Sequence, residues 1–368
     1  MKILLVSNMY PNDKYPQYGI FVKNTENILK NKNIEVEKIV LYKENRKMLK
    51  LLNYCKFYFS CFLYSIFRDF DYIYIHYVSL SSLGVILAKI LKKKIVIISN
   101  THGSDIVPES VNQKRFKIIT KLTLNYSEKV IVPSEYYREL INSEYKIKYK
   151  KMYVFPSGGV NPVNFYPISK EIALSELKLS PDFKYIGYVG RIEFQKGWDV
   201  LLEAIHKIKY EFFFMNYKII IVGNGLQKND FLNLVKEYDL HDKIIVYDFI
   251  SQDKLKYIYN SIEFLCFPTM RKGESLGLVG IEALSCGTPI IASNYAGPKD
   301  YVINNVNGFL FEKGSSESLA NKIESFITLS DEEKQNLKVN ALKSVIKYNL
   351  TNIEKVLLNI FDYLEEKK

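Results

Sequence analysis

Two glutamates eight positions apart, Glu274 and Glu282, lie in the run PTMRKGESLGLVGIEALSCGTPIIAS (268–293), directly after the apolar strand pattern EFLCFP (263–268). The strand should end in a polar loop carrying the first carboxylate. A Gly-bearing helix opening near Ser275 then carries the second about two turns on, at 3.6 residues per turn. Free N–H groups and the dipole at a helix start favour a phosphate, and ionised carboxylates accept hydrogen bonds from hydroxyls. One carboxylate close to a phosphate site and another two turns away suit a molecule with polyols on both sides of a phosphate. A nucleotide sugar has that layout.

Other strand ends carry compatible groups. GYVGRIEFQKGWDVLLEAI (187–205) sets Arg191 and Lys196 on a loop leading into a helix. Two such cations neutralise a diphosphate, the guanidinium by a forked contact and the ammonium as a point charge. IIIVGNG (219–225) ends in Gly223-Asn224-Gly225, where a backbone can approach a nucleotide closely, but without the third glycine of a dinucleotide fingerprint. KIVIISN (94–100) runs into Thr101-His102-Gly103-Ser104-Asp105, which aims an imidazole from a strand end while Asp105 shapes the loop. In YPQYGIFVKNTENIL (15–29), Gly19 precedes an amphipathic helix, so its N–H is expected to face an anion and its missing Cβ to make room for substrate. Taken singly, each feature has an ordinary structural reading as a helix face, a loop cation or a turn.

The elements needed to position these residues follow an α/β pattern. Short β-rich runs alternate with helical stretches, as in parallel sheets. Strands are expected at Lys2–Ser7, Val36–Tyr42, Tyr72–Val78, Lys94–Asn100, Lys129–Ser134 and Met152–Phe155, then at Tyr185–Arg191, Lys218–Gly223, Lys243–Phe249, Glu263–Phe267, Pro289–Ser293 and Gly308–Phe311. PSGGVNPVNFYP (156–167), with three prolines and two glycines, is the expected linker. The fold class is therefore α/β: two doubly wound parallel-sheet, Rossmann-like domains facing across a cleft. The expected domains are 1–160 and 161–349, with a C-terminal helix of about 350–368 packing back on the first. Ligands of such sheets bind beyond the carboxyl ends of the strands.

Glu-x7-Glu followed by Ala283, Cys286-Gly287-Thr288-Pro289 and a strand resembles the donor-binding segment of the retaining family 4 glycosyltransferases (glycosyl transferases group 1), which have the GT-B fold. Gly190-Arg191, Lys196-Gly197, the strand-end glycines, His102-Gly103-Ser104-Asp105, Val132-Pro133-Ser134, Gly159-Val160-Asn161 and Gly297-Pro298-Lys299-Asp300 ahead of Asn307-Gly308 extend the resemblance over nearly the whole chain. It departs in having a single Gly19 where Gly-Gly is frequent, Asn161 for Asp, Leu276 for Phe and Asp300 for Glu. The resemblance implies an acceptor-binding first domain and a donor-binding second one. It gives Arg191 and Lys196 the donor phosphates, Glu274 and His102 the transferred sugar, and Glu282 the nucleotide ribose. Gly19, Gly190, Gly223, Asn224 and Ser275-Leu276-Gly277-Leu278 become further donor contacts, and Tyr10-Pro11 part of an acceptor pocket. Anomeric configuration is retained in this family, with Glu274 as an orienting group, although a covalent route stays open. Neither metal nor other cofactor is expected, since the cations can carry the leaving charge. A UDP- or GDP-linked donor and a glycan or lipid-linked acceptor of a bacterial cell-surface polysaccharide (capsule, exopolysaccharide or lipopolysaccharide) fit this reading. A sugar-nucleotide epimerase and a non-catalytic scaffold share the fold. Glu-x7-Glu and a basic aromatic face argue against the first, and the intact Arg, Lys, Glu and His set against the second.

Charge adds a partner. The chain has 368 residues and a net charge of +11. Residues 1–167 hold 26 Lys and Arg against 13 Asp and Glu, and the remainder 25 against 27, so the excess lies in the first half. No nucleic-acid module accompanies it. Basic and aromatic residues interleave in KENRKMLKLLNYCKFYFSCFLYSIFR (43–68), which suits an anionic membrane surface. The apolar stretch Phe57–Phe67 is 11 residues, against the roughly 20 needed to span a bilayer. It is either a buried domain helix or an interfacial one. MKILLVSNMYP lacks a signal-peptide cleavage pattern, and four cysteines without CxxC spacing form no disulfide framework. A cytoplasmic protein, peripheral on the inner face of the membrane, is the expectation.

Overall fold

The computed structural model describes residues 1–156, 159–208 and 215–365, the last four as backbone only. Ser157 and Gly158 of the expected linker, and the last three residues of the expected C-terminal helix, lie outside them. The chain forms two compact units: Met1–Gly158 with Glu354–Lys368, and Gly159–Ile353.

The first unit contains a six-stranded sheet of β1 (Lys2–Ser7), β2 (Glu35–Val40), β3 (Tyr72–His76), β4 (Ile97–Asn100), β5 (Lys129–Val132) and β6 (Met152–Val154). Its order is β2-β1-β3-β4-β5-β6, and every pair is parallel. The inner strands are Ile- and Val-rich and buried along their length, as a parallel sheet covered on both faces requires. The second unit repeats the plan with β7 (Lys184–Val189), β8 (Tyr217–Val222), β9 (Ile244–Tyr247), β10 (Phe264–Phe267), β11 (Ile290–Ser293) and β12 (Gly308–Phe311). Its order, β12-β11-β10-β7-β8-β9, reverses direction between β7 and β10. The first sheet reverses between β1 and β3. Such switch points open a crevice beyond the strands' carboxyl ends, and the candidate residues lie beside these two.

All twelve expected strands form, with ends displaced by up to three residues. Tyr72–Val78 stops at His76 because Tyr77 turns into the left-handed region at φ 60°. Lys243–Phe249 contracts to Ile244–Tyr247, the part paired with β8. The helix beyond Glu274 also needs correction. It runs Leu278–Ser285 rather than opening at Ser275, because Gly277 sits at φ +79° and Ser275–Gly277 form the preceding loop. Glu282 is therefore in the second turn of a short helix.

Two of the first unit's helices are singled out by the sequence. In the C-terminal one, Leu350–Glu365, the Ile360 carbonyl accepts from Lys129 Nζ at 2.5 Å and Phe361 packs edge-on against Tyr72 and Tyr74. Lys47–Phe67 buries only Phe57, Cys61 and Ser65, one stripe at four-residue intervals. It crosses the helix Leu83–Leu91 where a Cβ on Gly84 would lie 2.2 Å from the Tyr58 carbonyl. Residues 47–52, including Met48, Leu51 and Leu52, are all exposed. Among the described residues no helix is long and apolar enough to cross a membrane.

Candidate functional site

The loops after β7 and β10 meet at the switch point of the second sheet. Gly197, at φ +75°, lets the β7 loop press against β10, since a Cβ there would lie 1.9 Å from the Pro268 carbonyl. Met270 N–H donates to the Gln195 carbonyl at 2.8 Å across the same seam. These contacts place Lys196 Nζ 2.5 Å from Glu274 Oε2, with both side chains largely buried. Thr269 Oγ1 is a further donor to that carboxylate oxygen at 3.4 Å. The sequence reading gave Lys196 to phosphates beside Arg191. Lys196 neutralises Glu274, while the exposed Arg191 pairs with Glu193 at 2.7 Å.

The glycines after β7 and β8 have a different task from the one expected. A Cβ on Gly223 would lie 1.9 Å from the Gly190 carbonyl, and one on Gly225 would lie 2.3 Å from that of Ile192. Gly190 N–H donates to Val222 and Ile192 N–H to Asn224, at 3.0 and 3.1 Å. The close approach is thus between two of the protein's own loops, leaving the Asn224 side chain exposed. Gly19 repeats the lesson in the first unit. At φ +76°, its Cβ would meet Met9 and Tyr10 backbone atoms within 2.6–2.8 Å, so the missing atom admits the protein's own chain, not a substrate.

Glu282 is 9 % exposed, and burial pushes its carboxyl up to about 7 although the Tyr259 hydroxyl donates to it at 2.8 Å. A second tyrosine braces the helix start: Tyr301 Oη donates to the Gly277 carbonyl at 2.9 Å. A Cβ on Gly280 would lie 2.2 Å from that hydroxyl. The Gly297-Pro298-Lys299-Asp300 turn holds the other side, with Gly297 N–H donating to the Glu274 carbonyl at 3.0 Å. Ser275, Leu276 and Gly277 are thereby fixed in one loop between Glu274 and the helix, which opens at Leu278, with Leu276 buried and Leu278 exposed. This arrangement offers backbone N–H groups, a lysine and two carboxylates on the loops beyond β7 and β10 and the helix that follows β10.

In the first unit, His102 follows β4 and lies against His76, the last residue of β3. Phe21, in the first turn of the helix Ile20–Lys30 after Gly19, packs on His102 with centroids 4.3 Å apart. Asp105 is fully buried and holds the loop through backbone N–H donors from Gly103 at 2.7 Å, His102 at 3.1 Å and Val78 at 3.2 Å. Tyr10 is not an open pocket wall: it is buried, and its hydroxyl contacts Glu26 and Lys38. A cavity of about 220 Å³ lies nearby instead, lined in part by Asn8, Tyr18, Lys43, Lys50, Asn53 and Tyr54. Sequence reasoning missed His76, Tyr259 and Tyr301. Of these only His76, a polar residue ending an apolar strand run, had a local signal.

Comparison with known proteins accords with this architecture. The family model described as Glycosyl transferases group 1 matches residues 169–344, and that described as Glycosyltransferase Family 4 matches residues 22–159. An uncharacterized glycosyltransferase of Methanocaldococcus jannaschii is 28 % identical over 258 residues, covering 68 % of this chain and 64 % of its own. The capsular polysaccharide biosynthesis glycosyltransferase CapM of Staphylococcus aureus is 29 % identical over 218 residues, covering 57 % and 55 %. The matches thus span less than two thirds of the length of either relative. Sucrose-phosphate synthase from Thermosynechococcus elongatus superposes with a TM-score of 0.78 at 20 % identity, covering 100 % of both chains. HepE of Anabaena, solved with UDP, superposes with a TM-score of 0.75 at 17 % identity, covering 99 % of this chain and 100 % of that one. At such identities the likeness speaks for the fold alone. The two matched segments, in chain order on two parallel six-stranded sheets, make this chain a member of the family 4 glycosyltransferases of GT-B fold.

Proposed function

We propose that the protein is a retaining glycosyltransferase that moves a sugar from a nucleoside-diphosphate donor to a glycan or lipid-linked acceptor. The observation that carries this reading is the Lys196–Glu274 pair at the switch point, with Glu282 in the second turn of the adjoining helix. A donor entering there separates the pair's two functions. Its phosphates take Lys196, aided by Arg191 and the N–H groups at Leu278, while hydroxyls of the transferred sugar take Glu274. Glu282 accepts from the ribose, and His102 of the first domain serves the transferred sugar. Gly19, Gly190 and Gly223 shape the loops, and Asn224 presents its side chain to the nucleotide.

The bond from the anomeric carbon to the phosphate oxygen breaks as the acceptor oxygen bonds to the same face. The acceptor proton passes to the departing phosphate. Negative charge grows beside Lys196 and Arg191, where preorganised donors lower the barrier most. In this reading no metal is needed. CapM of Staphylococcus aureus is named for capsular polysaccharide synthesis, and HepE of Anabaena was solved with UDP and with UDP-glucose. The first supports a surface-glycan product here and the second a uridine donor. The acceptor enters the cavity of the first domain, beside a cationic apolar helix end that suits the cytoplasmic face of a membrane.

Incubation of the purified chain with UDP- and GDP-sugars and a lipid-linked acceptor tests the proposal. The expected result is a glycosylated acceptor with the donor's anomeric configuration. Isomerised donor without transfer would indicate an epimerase, and no turnover of any donor would indicate a scaffold.

A further inference from the structure

His76 and His102 form an imidazole pair at the carboxyl ends of β3 and β4. Their ring planes lie within 14° of parallel, and His76 Nδ1 is 3.1 Å from His102 Nε2. A hydrogen bond between two such nitrogens needs a proton on one and a lone pair on the other. Burial lowers the pKa of both rings, His102 to about 3 and His76 well below the ordinary value, where the neighbouring ring adds to the effect. Both are therefore neutral near pH 7, with one N–H each.

Two arrangements remain. In one, His102 Nε2–H donates to His76 Nδ1, and His76 must then carry its own proton on Nε2. His76 is fully buried and its Nε2 has no hydrogen-bond partner among the described residues. That arrangement strands an N–H donor in the core, the rarest kind of unsatisfied group. In the other, His76 Nδ1–H donates to His102 Nε2 and leaves only a lone pair on the buried nitrogen. The proton of His102 then sits on Nδ1, which has no partner among the described residues, on a ring that is only partly buried.

We propose that His76 is a positioning residue: its Nδ1–H bond to His102 Nε2 holds His102 as the Nδ1–H tautomer, a hydrogen-bond donor to an oxygen of the transferred sugar. The role assigned to His102 rests on the function proposed above; the tautomer rests on the geometry and burial of the two rings. The surroundings keep the pair from slipping. Phe21 covers His102, Asp105 grips the backbone N–H of His102 and Gly103, and Tyr77, at φ 60°, contacts Ser104 through its hydroxyl. Fixing one imidazole nitrogen through a partner on the other is a common way to set tautomer and orientation. A neutral His102 held in this way donates to the sugar and does not act as its base.

The test is nitrogen-detected NMR of the ¹⁵N-histidine-labelled full chain, which has four histidines and hence a spectrum simple enough to assign by substitution. The expected result is a proton-bearing Nδ1 and a bare Nε2 on His102. His76→Asn, whose amide nitrogen takes the place of Nδ1, should preserve this, and His76→Phe should release His102 into mixed tautomers. A proton on His102 Nε2 in the wild type, or an unchanged tautomer in His76→Phe, would overturn the proposal. If His76→Phe fails to fold, the wild-type and His76→Asn spectra still decide it. Calorimetry with UDP and UDP-glucose supplies the second readout. His76→Phe should weaken the sugar nucleotide about tenfold relative to UDP, the scale of one misaligned polar contact, and His76→Asn should restore it. Equal weakening of both ligands would overturn the positioning role. Absence of nucleotide binding by the wild type, with the Nδ1–H tautomer in place, would overturn the proposed function but leave the His76–His102 bond standing.

Discussion

Lys196 and Glu274 neutralise each other at 2.5 Å in a largely buried setting, so neither can be removed without leaving the other uncompensated. Loss of one partner of a buried pair costs about 3–5 kcal/mol, and removal of both costs less than the sum. Lys196→Ala and Glu274→Ala should each slow transfer about 30- to 1,000-fold, the worth of a contact to developing charge, with the double variant far from multiplicative. Steady-state rates and thermal melts of the three variants check both statements. Glu282 makes a pH prediction with two opposite signs. Burial raises its carboxyl from 4.5 to about 7, so between those values the folded state holds a proton that the unfolded state has lost. Its contribution to stability is present below pH 4.5 and is lost as pH rises through 7. Affinity for UDP-glucose should run the other way and strengthen as pH rises through about 7, since ribose hydroxyls donate to the carboxylate. Glu282→Gln should flatten both dependences in denaturation and calorimetric titrations across this range.

The elements owe their precision to a few close backbone approaches. Gly197 seats the β7 loop on Pro268, and a Cβ there would meet the carbonyl at 1.9 Å on a backbone at φ +75°. Gly197→Ala should lower stability by at least about 1–3 kcal/mol and weaken donor binding together, because the same seam holds Lys196 against Glu274. Denaturant titration and calorimetry of this variant check the coupling. This also explains what was legible in the sequence. Alternating apolar runs gave all twelve strands, since the buried faces of parallel strands leave a strong compositional trace. The position of Lys196, Glu274 and His102 beyond strand ends, and of Glu282 on the helix after β10, followed from those runs. The helix start at Leu278 was missed because Gly277 turns left-handed, and glycine permits this without announcing it. Tyr301 and Tyr259 brace the site from 23 or more residues away, and no local pattern could link them to it. The reason for Gly19 and Gly223 was misread because a glycine marks a close approach without naming what approaches.

At the scale of the whole molecule, charge divides the chain. The first 167 residues carry 26 Lys and Arg against 13 Asp and Glu, and the exposed start of the helix Lys47–Phe67 joins cations to Met48, Leu51 and Leu52 at 77, 64 and 53 % exposure. Each cation near an anionic leaflet contributes about 1 kcal/mol, and salt weakens the attraction. The chain should therefore sediment with anionic vesicles at low salt and much less at high salt. Replacing Lys43, Arg46, Lys47 and Lys50 together by Glu should abolish this, and equal binding to neutral vesicles would refute it. In the second domain a nucleotide sugar should be held with Glu282 on the ribose side and Glu274 on the sugar side. A calorimetric screen of UDP- and GDP-sugars against the wild type, Glu282→Ala and Glu274→Ala decides this. One class of nucleotide sugar should bind, Glu282→Ala should weaken both the free nucleoside diphosphate and its sugar conjugate, and Glu274→Ala should weaken the conjugate alone. Equal effects of the two substitutions on the free nucleotide, or no binding of any nucleotide sugar, would contradict this.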